Sequence, residues 1–196
     1  MTRPVLRATL LAAAVALLAA CSRKPPPPPP PLAKVPDGAV VQAYLGTHSM
    51  SSPDGATPYG EPGQVAVRRV IDAKGGVILE EVVWPGEAFP TTLTRTGTTA
   101  VFDAKDLAGT FTGTVTFSGP EWHWNAWTYA IDMADGSGKL TGTGQIAADG
   151  TMTTDKLFVG SDGTPKARLR ETLAPLPAAS FEAERARLLA LPRGGP

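Results

Sequence analysis

The sequence predicts an all-β protein: an antiparallel up-and-down β-barrel of about 8–10 strands followed by a C-terminal helix. The first observation is that short segments of β-favouring residues recur roughly every 10 to 13 residues and are separated by Gly-bearing turns. The second is that no segment with helical periodicity interrupts them before Ala178. A meander of this many strands has two unpaired edges unless it closes, and closure removes both.

The first strand is the least clearly marked of the series. Val40–Gly46 reads as a strand or a short helix, and a polar loop rich in Pro and Gly is expected from Thr47 to Gly63. Next, Gln64–Asp72 and Val77–Trp84 flank a Lys-Gly-Gly turn, which is typical of a β-hairpin. Pairing these two segments sets opposite charges across the hairpin: Arg68 and Arg69 face Glu80 and Glu81.

The later strands are indicated by alternation of apolar and polar residues. They are Thr91–Thr96, Thr98–Ala104, Thr110–Ser118, Trp122–Met133, Lys139–Ala147, Thr151–Val159 and Lys166–Leu173. Within Trp122–Met133 the apolar phase changes at Asn125, and a β-bulge there would restore a single face. The helix, Ala178–Leu191, is expected to pack across the barrel wall or over one mouth.

The N-terminal segment has the features of a secretory signal. Arg3 and Arg7 precede an apolar stretch, 10–20, that is too short to span a bilayer. The tetrapeptide that ends at Cys21, Leu-Ala-Ala-Cys, resembles a bacterial lipobox, which implies cleavage after residue 20 and lipidation of Cys21, with palmitate among the acyl chains. A plain signal peptide with a chance cysteine is the alternative. Ser22 is not the aspartate that retains lipoproteins at the inner membrane, so in a Gram-negative organism the resemblance implies an outer-membrane protein facing the periplasm.

The segment after the cysteine is predicted to be a tether. Residues 21–37 contain seven consecutive prolines, which adopt an extended polyproline II helix of about 22 Å. A stiff spacer explains this composition, and a docking peptide for an SH3-like or WW-like partner is the alternative. The chain is thus divided into a signal peptide (1–20), the tether (21–37), the barrel (38–175) and the C-terminal helix and tail (176–196).

Composition excludes several classes of function. Basic and acidic residues number 18 each, and loss of Arg3 and Arg7 with the signal peptide leaves 16 against 18, a mature net charge of −2. No basic surplus is available to bind nucleic acid. Two histidines and one cysteine do not make a transition-metal set, and no catalytic or nucleotide-binding motif is present. The sequence therefore predicts a non-enzymatic protein without a cofactor.

One aromatic segment is the best candidate for a ligand site. Three of the four tryptophans lie within residues 122–127, on a predicted barrel strand. Aromatic rows on such a strand either fill the core or line a cavity. In the first case the interior is packed and His123 points outward. In the second, small residues (Gly113, Gly142 and Gly144) leave space beside an apolar pocket formed by Trp122, Trp124, Trp127, Tyr129, Phe111 and Phe117.

The last strand carries a second group of charged residues. Alternation puts Arg168 and Arg170 on one face and Glu171 on the other, among apolar neighbours. If Glu171 points inward it needs a partner, because a buried unpaired charge is costly. We therefore expect an ion pair from this group, near one end of the barrel.

The lipobox, the proline tether, the Gly-turned meander and the final strand with its helix together resemble small bacterial lipoproteins with a lipocalin-like (calycin) barrel. Gly46-Thr47-His48 stands where true lipocalins carry a G-x-W motif. The resemblance implies a membrane-anchored barrel that binds a small apolar or amphipathic ligand. Two alternatives are a filled structural or assembly barrel acting through protein partners, whose identity the residues do not indicate, and an enzyme using His123 or Glu171 in the barrel mouth.

Overall fold

The computed structural model describes residues 31–96, 99–106, 109–118, 126–132 and 136–192, with the backbone alone for those within 95–118 and for Tyr129. These residues form ten strands: β1 (Val40–Ser51), β2 (Gly63–Asp72), β3 (Val77–Trp84), β4 (Glu87–Thr96), β5 (Thr99–Asp106), β6 (Gly109–Ser118), β7 (Ala126–Asp132), β8 (Gly138–Ile146), β9 (Met152–Gly160) and β10 (Pro165–Leu176). Each strand pairs antiparallel with the next, and β1 also pairs with β10. The predicted up-and-down barrel is confirmed.

Closure of the barrel is extensive. β1 and β10 are paired continuously from Ala43 opposite Leu176 to Ser51 opposite Arg168. On its other side β1 pairs with β2 from Val40 to His48. From Ala43 to His48 the first strand therefore has no free edge, which removes the site where a second chain would add over that stretch.

The β2–β3 hairpin has the predicted register. Arg69 lies opposite Glu80, and Arg68 lies opposite Glu81. Between these strands, Gly76 has a φ of 67°, a conformation that glycine adopts without steric cost. Arg69 and Glu80 point into the barrel and form an ion pair with an Nε–Oε2 distance of 2.5 Å.

The expectation that the chain leaves β structure at Thr47 is wrong. β1 continues to Ser51, because its outward residues are small and polar and its inward ones, His48 and Met50, are covered by the barrel. This segment pairs with β10 throughout and with β2 at Thr47 and His48, and these ladder hydrogen bonds outweigh its loop-like composition. The bulge expected at Asn125 lies outside the described residues.

The C-terminal helix covers the outer wall and not a mouth. After a 3₁₀ turn (Ala178–Ser180), helix α1 (Phe181–Leu189) runs over β2 and β3. Phe181 and Leu188 are fully buried, in a cluster with Ala43, Ala66 and Val83 on the outer faces of β1, β2 and β3. The Gly86 N–H donates to the Leu188 carbonyl at 3.0 Å, tying the end of α1 to the β3–β4 turn.

The two ends of the barrel differ in packing. We call the end that carries the β2–β3 and β8–β9 turns the closed end, and the opposite end, with the β3–β4 and β9–β10 turns, the open end. Inward side chains toward the closed end are buried in one apolar cluster: Tyr44, Val67, Ile71, Ile78, Leu93, Trp127, Met152 and Leu173. This cluster is the core of the protein.

The position of Trp127 requires a glycine at residue 144. Trp127 lies opposite Gly144 across the β7–β8 pair, and a Cβ at Gly144 would clash with Cε2 and Nε1 of the indole. The indole therefore lies over bare backbone, as in the aromatic rescue of strand glycines. The Arg69 guanidinium carbon lies over the indole, 4.5 Å from the ring centroid, in a cation–π contact. Glycine, indole and guanidinium together fill the lumen near the closed end.

We predict that Gly144→Ala destabilises the protein by about 1–3 kcal/mol, because the new methyl displaces Trp127 from a packed core. Urea unfolding followed by tryptophan fluorescence measures this. Thr143→Ala, at the adjacent exposed outward position, is the matched control and should change the free energy of unfolding by less than about 0.5 kcal/mol. Equal effects of the two substitutions would contradict this account of the stack.

Candidate ligand-binding cup

Several inward apolar side chains toward the open end are less buried than those of the core. Five are half-buried (Met50, Val82, Phe89, Leu140 and Phe158), whereas Val65, Ile131 and Leu169, which also point inward there, are at most 4 % exposed. On the same strands, Tyr44, Ile78, Leu93 and Met152 near the closed end are at most 5 % exposed. We call the part of the lumen beside these five half-buried side chains the cup.

A buried carboxylate stands on the floor of the cup. Glu171 of β10 points inward and is 4 % exposed. Its Oε2 accepts hydrogen bonds from Thr154 Oγ1 at 2.6 Å and from Lys156 Nζ at 2.8 Å, both on β9. The sequence-based expectation that an inward Glu171 would find a partner is confirmed, and the partner is Lys156.

Glu171 is ionised in the folded protein. Burial by itself raises the pKa of this carboxyl, but the charge of Lys156 and the hydrogen bonds from Lys156 and Thr154 outweigh burial and hold the pKa below its usual value. The floor therefore carries one negative and one positive charge in contact.

His48 and Trp84 adjoin this pair. His48 lies directly opposite Glu171 in the β1–β10 ladder. Its ring is stacked on Trp84, with centroids 5.0 Å apart and planes 17° apart, and Trp84 meets Phe89 edge-on at 5.2 Å. Burial lowers the pKa of His48, Glu171 raises it and Lys156 lowers it, and the net shift is downward. The imidazole is therefore neutral at pH 7.

Three polar atoms of His48 and of the two residues beside it are buried without a hydrogen-bond partner in the described part of the chain: His48 Nδ1, Trp84 Nε1 and Glu171 Oε1. Leaving a buried donor or acceptor unpaired costs about 1–3 kcal/mol, so such groups in one place call for an explanation. Between them they offer an N–H donor, a charged acceptor and an imidazole nitrogen.

The Arg69–Glu80 ion pair lies below the floor, toward the closed end. Trp127 covers Arg69, and Tyr44 belongs to the same core. Burial raises the pKa of the Tyr44 hydroxyl, Arg69 lowers it and Glu80 raises it, and the net shift is upward, so Tyr44 stays protonated. The side chains of this second ion pair are buried to a similar extent as those of Lys156 and Glu171: 6 % and 13 % exposed, against 13 % and 3 %.

The outer wall of β7–β10 carries a separate, polar groove of about 550 Å³. Its sides are outward side chains, mostly threonine and glutamine, and include Asp155 and Arg170. Asp155 accepts from Arg168 Nε at 2.7 Å and from Arg170 Nε at 3.2 Å. Arg168 and Arg170 thus share the outer face, as predicted. Thr154 and Glu171, whose side chains belong to the cup floor, are also among the residues that line the groove.

The predicted aromatic site is only partly described. Trp127 is placed in the packed closed end, 2 % exposed. Phe117 lies opposite Trp127 in the β6–β7 ladder, Tyr129 opposite Val115, and Phe111 opposite Ala104. The remaining residues of interest lie outside the described residues: Cys21, Trp122, His123 and Trp124.

Sequence reasoning missed His48, Trp84 and Lys156. A signal was available for His48, since the alternation that puts Tyr44 inward continues through Gly46 to residue 48. No such signal was available for Lys156, because lysine is usually exposed and the sequence does not show that its partner lies on β10.

Neither the known protein-family models nor the sequences of curated proteins give a match to this chain. Across the ranges described above, no helix is long and apolar enough to cross a membrane. Within those same ranges no three His, Cys, Asp or Glu residues are grouped as a metal site. The candidate site therefore rests on its own geometry.

We predict that Glu171→Gln makes unfolding less sensitive to acid. The folded-state pKa of Glu171 lies below its unfolded value of about 4.3, so its carboxylate stabilises the fold above that pH, and this contribution is lost as the pH falls through the folded-state pKa. At pH 7 the variant should lose about 3–5 kcal/mol, because Lys156 loses its charged partner. The deficit should shrink below about pH 4.

Urea unfolding from pH 3 to pH 7 measures both effects. Glu182→Gln, on the exposed face of α1, removes the same charge without a buried partner and should follow the unsubstituted protein within about 0.5 kcal/mol. A deficit in Glu171→Gln that stays constant over this pH range would contradict the assignment of an ionised, buried carboxylate.

Proposed function

We propose that this protein is a membrane-anchored lipoprotein whose barrel binds a small amphipathic molecule in the cup and does not catalyse a reaction. One observation carries the proposal: half-buried apolar walls stand above a buried polar floor that has unfilled hydrogen-bonding capacity. Small-molecule sites commonly combine an apolar lining with a few convergent polar groups. The ligand's apolar part would lie against Val82, Leu140 and Phe158, and its polar part would reach the floor.

The anchoring part of the proposal is supported by the sequence around Cys21 and by the course of the following segment. Arg68 Nη1 donates to the Ala33 carbonyl at 3.1 Å, so residues just after the proline run lie on the outer wall of β2–β4. The mouth of the cup is therefore left uncovered by this segment. Acyl chains on Cys21 would hold the barrel at the membrane, two or more being needed for stable anchoring.

We predict that Cys21→Ser abolishes lipidation. In a bacterial host fed an alkyne analogue of palmitate, the unsubstituted protein should become labelled and sediment with membranes. The serine variant should be unlabelled and largely released from the membrane fraction, since a hydroxyl does not accept the thioether-linked lipid. Ser22→Ala, one residue away, should still be labelled. Labelling of the serine variant would rule out Cys21 as the site.

We predict that Leu140→Glu weakens binding of an amphipathic fluorescent probe at least about tenfold, because it places a charge on the apolar wall of the cup. The matched control is Lys139→Glu, which introduces the same side chain at the adjacent exposed position on the outer wall. Fluorescence titration gives the two Kd values, and circular dichroism checks that both variants are folded. No probe binding by the unsubstituted protein would refute the proposal.

A filled barrel that acts through protein partners is the second candidate. The groove on the outer wall of β7–β10 and the packed closed end favour it. A photo-crosslinking residue at Thr143, beside the groove, would then capture a discrete partner in native membranes, whereas the same residue at Glu182 on α1 would not. Absence of a crosslinked species at Thr143 would remove the support for this second function.

A further inference from the structure

On the cup floor Glu171 is paired with Lys156 and lies opposite His48, whose ring is stacked on Trp84, and we infer from this arrangement the chemistry of the ligand's head group. We propose that the head group is uncharged and both donates and accepts a hydrogen bond, as a hydroxyl or a carboxamide does. This inference rests on the proposed function and adds to it the class of ligand.

The acceptor side of the floor is Glu171. One of its oxygens already accepts from Thr154 and Lys156, while Oε1 is buried and has no partner in the described part of the chain. An ionised carboxylate only accepts hydrogen bonds, so the group that completes it must donate. A carboxylate head cannot donate, and it would place a second negative charge beside the first.

The donor side is Trp84. Its indole N–H can only donate, and the atom is buried without a partner. The group that completes Trp84 must therefore accept a hydrogen bond. An ammonium head has donors and no acceptor, so it could satisfy Glu171 but would leave Trp84 unpaired. His48 Nδ1 is compatible with either role, because the neutral ring carries one proton on two nitrogens.

The charges of the floor also favour an uncharged head group. Lys156 and Glu171 are 2.8 Å apart and compensate each other, and the Arg69–Glu80 pair below them does the same. The described floor therefore presents no net charge to offset an ionic head group, and burying an uncompensated ion is expensive. A hydroxyl or carboxamide brings no charge and fills one acceptor and one donor at once.

The apolar walls determine the orientation of the ligand. Met50, Val82, Phe89, Leu140 and Phe158 lie toward the open end, above the floor. A ligand with its head on Glu171 and Trp84 therefore lays its hydrocarbon part along these side chains, with the end of the chain toward the mouth. Head-first entry buries the polar group in the deepest accessible part of the cup.

The test uses four ten-carbon probes that differ only in the head group: decan-1-ol, decanamide, decanoate and decylammonium. All variants carry Cys21→Ser, so that no acyl chain competes for the cup. Each probe displaces an amphipathic dye from the full chain at pH 7, and native mass spectrometry gives the stoichiometry. We expect decanol and decanamide to bind at least tenfold more tightly than either ion, with one probe bound per chain.

Two substitutions assign the preference to the floor. Trp84→Phe keeps an aromatic ring beside His48 but removes the donor, so decanol should bind three- to tenfold more weakly. Glu171→Gln removes the negative charge, so decanoate should gain at least tenfold relative to decanol, while Glu182→Gln should leave the ratio unchanged. Because Glu171→Gln costs stability, Trp84→Phe provides an independent measurement should that variant not fold.

The outcomes separate this inference from the function it rests on. If none of the four probes displaces the dye, the cup is not a binding site and both proposals fail. If all four bind with similar affinity, or if an ion binds most tightly, the cup binds amphipathic molecules but the head-group inference is overturned. Equal affinities would indicate that water alone completes Glu171 and Trp84.

Discussion

The pairing of β1 with β10 is the constraint on which the rest of this structure depends. Closure gives the sheet an inside and an outside, and only then does alternation along each strand decide which side chains are buried. It also brings His48, near the start of the described chain, opposite Glu171, near its end. Neither residue would have this environment in an open sheet, where both would lie on exposed edge strands. The candidate site is therefore a product of closure and not of any local segment.

Burying an ion pair costs desolvation free energy. The described interior of this barrel contains two such pairs, and their neighbours differ. Arg69 and Glu80 are enclosed by Trp127, whose ring occupies space that Gly144 leaves empty. That pair and the Lys156–Glu171 pair are buried to a similar extent. Lys156 and Glu171 stand at the boundary between the packed base and the half-open part of the lumen. The same type of interaction thus seals the closed end and provides polar chemistry at the cup floor.

Local patterns predicted the meander, the register of the β2–β3 hairpin and the need of Glu171 for a partner, because each of these depends on neighbours in sequence or on a single residue's burial cost. Two features could not be predicted from local sequence patterns. The extent of β1 depends on pairing with β10, far along the chain, and its Thr and Ser residues resemble a loop until that pairing is known. The cup floor joins side chains of β1, β3, β9 and β10, and strand alternation says which side each faces but not which ones meet across a barrel.

Closure between the first and the last strand also has a kinetic consequence. Ala43 cannot pair with Leu176 until nearly the whole chain has been synthesised, and contacts between such distant residues form slowly. Helix α1 follows β10 and can dock on β2 and β3 only after that. An incomplete chain therefore has two unsatisfied edges and an uncovered apolar wall, which are the features that chaperones and proteases recognise. The outer edges of β1 and β10 are therefore covered only after β10 has been synthesised and has paired with β1.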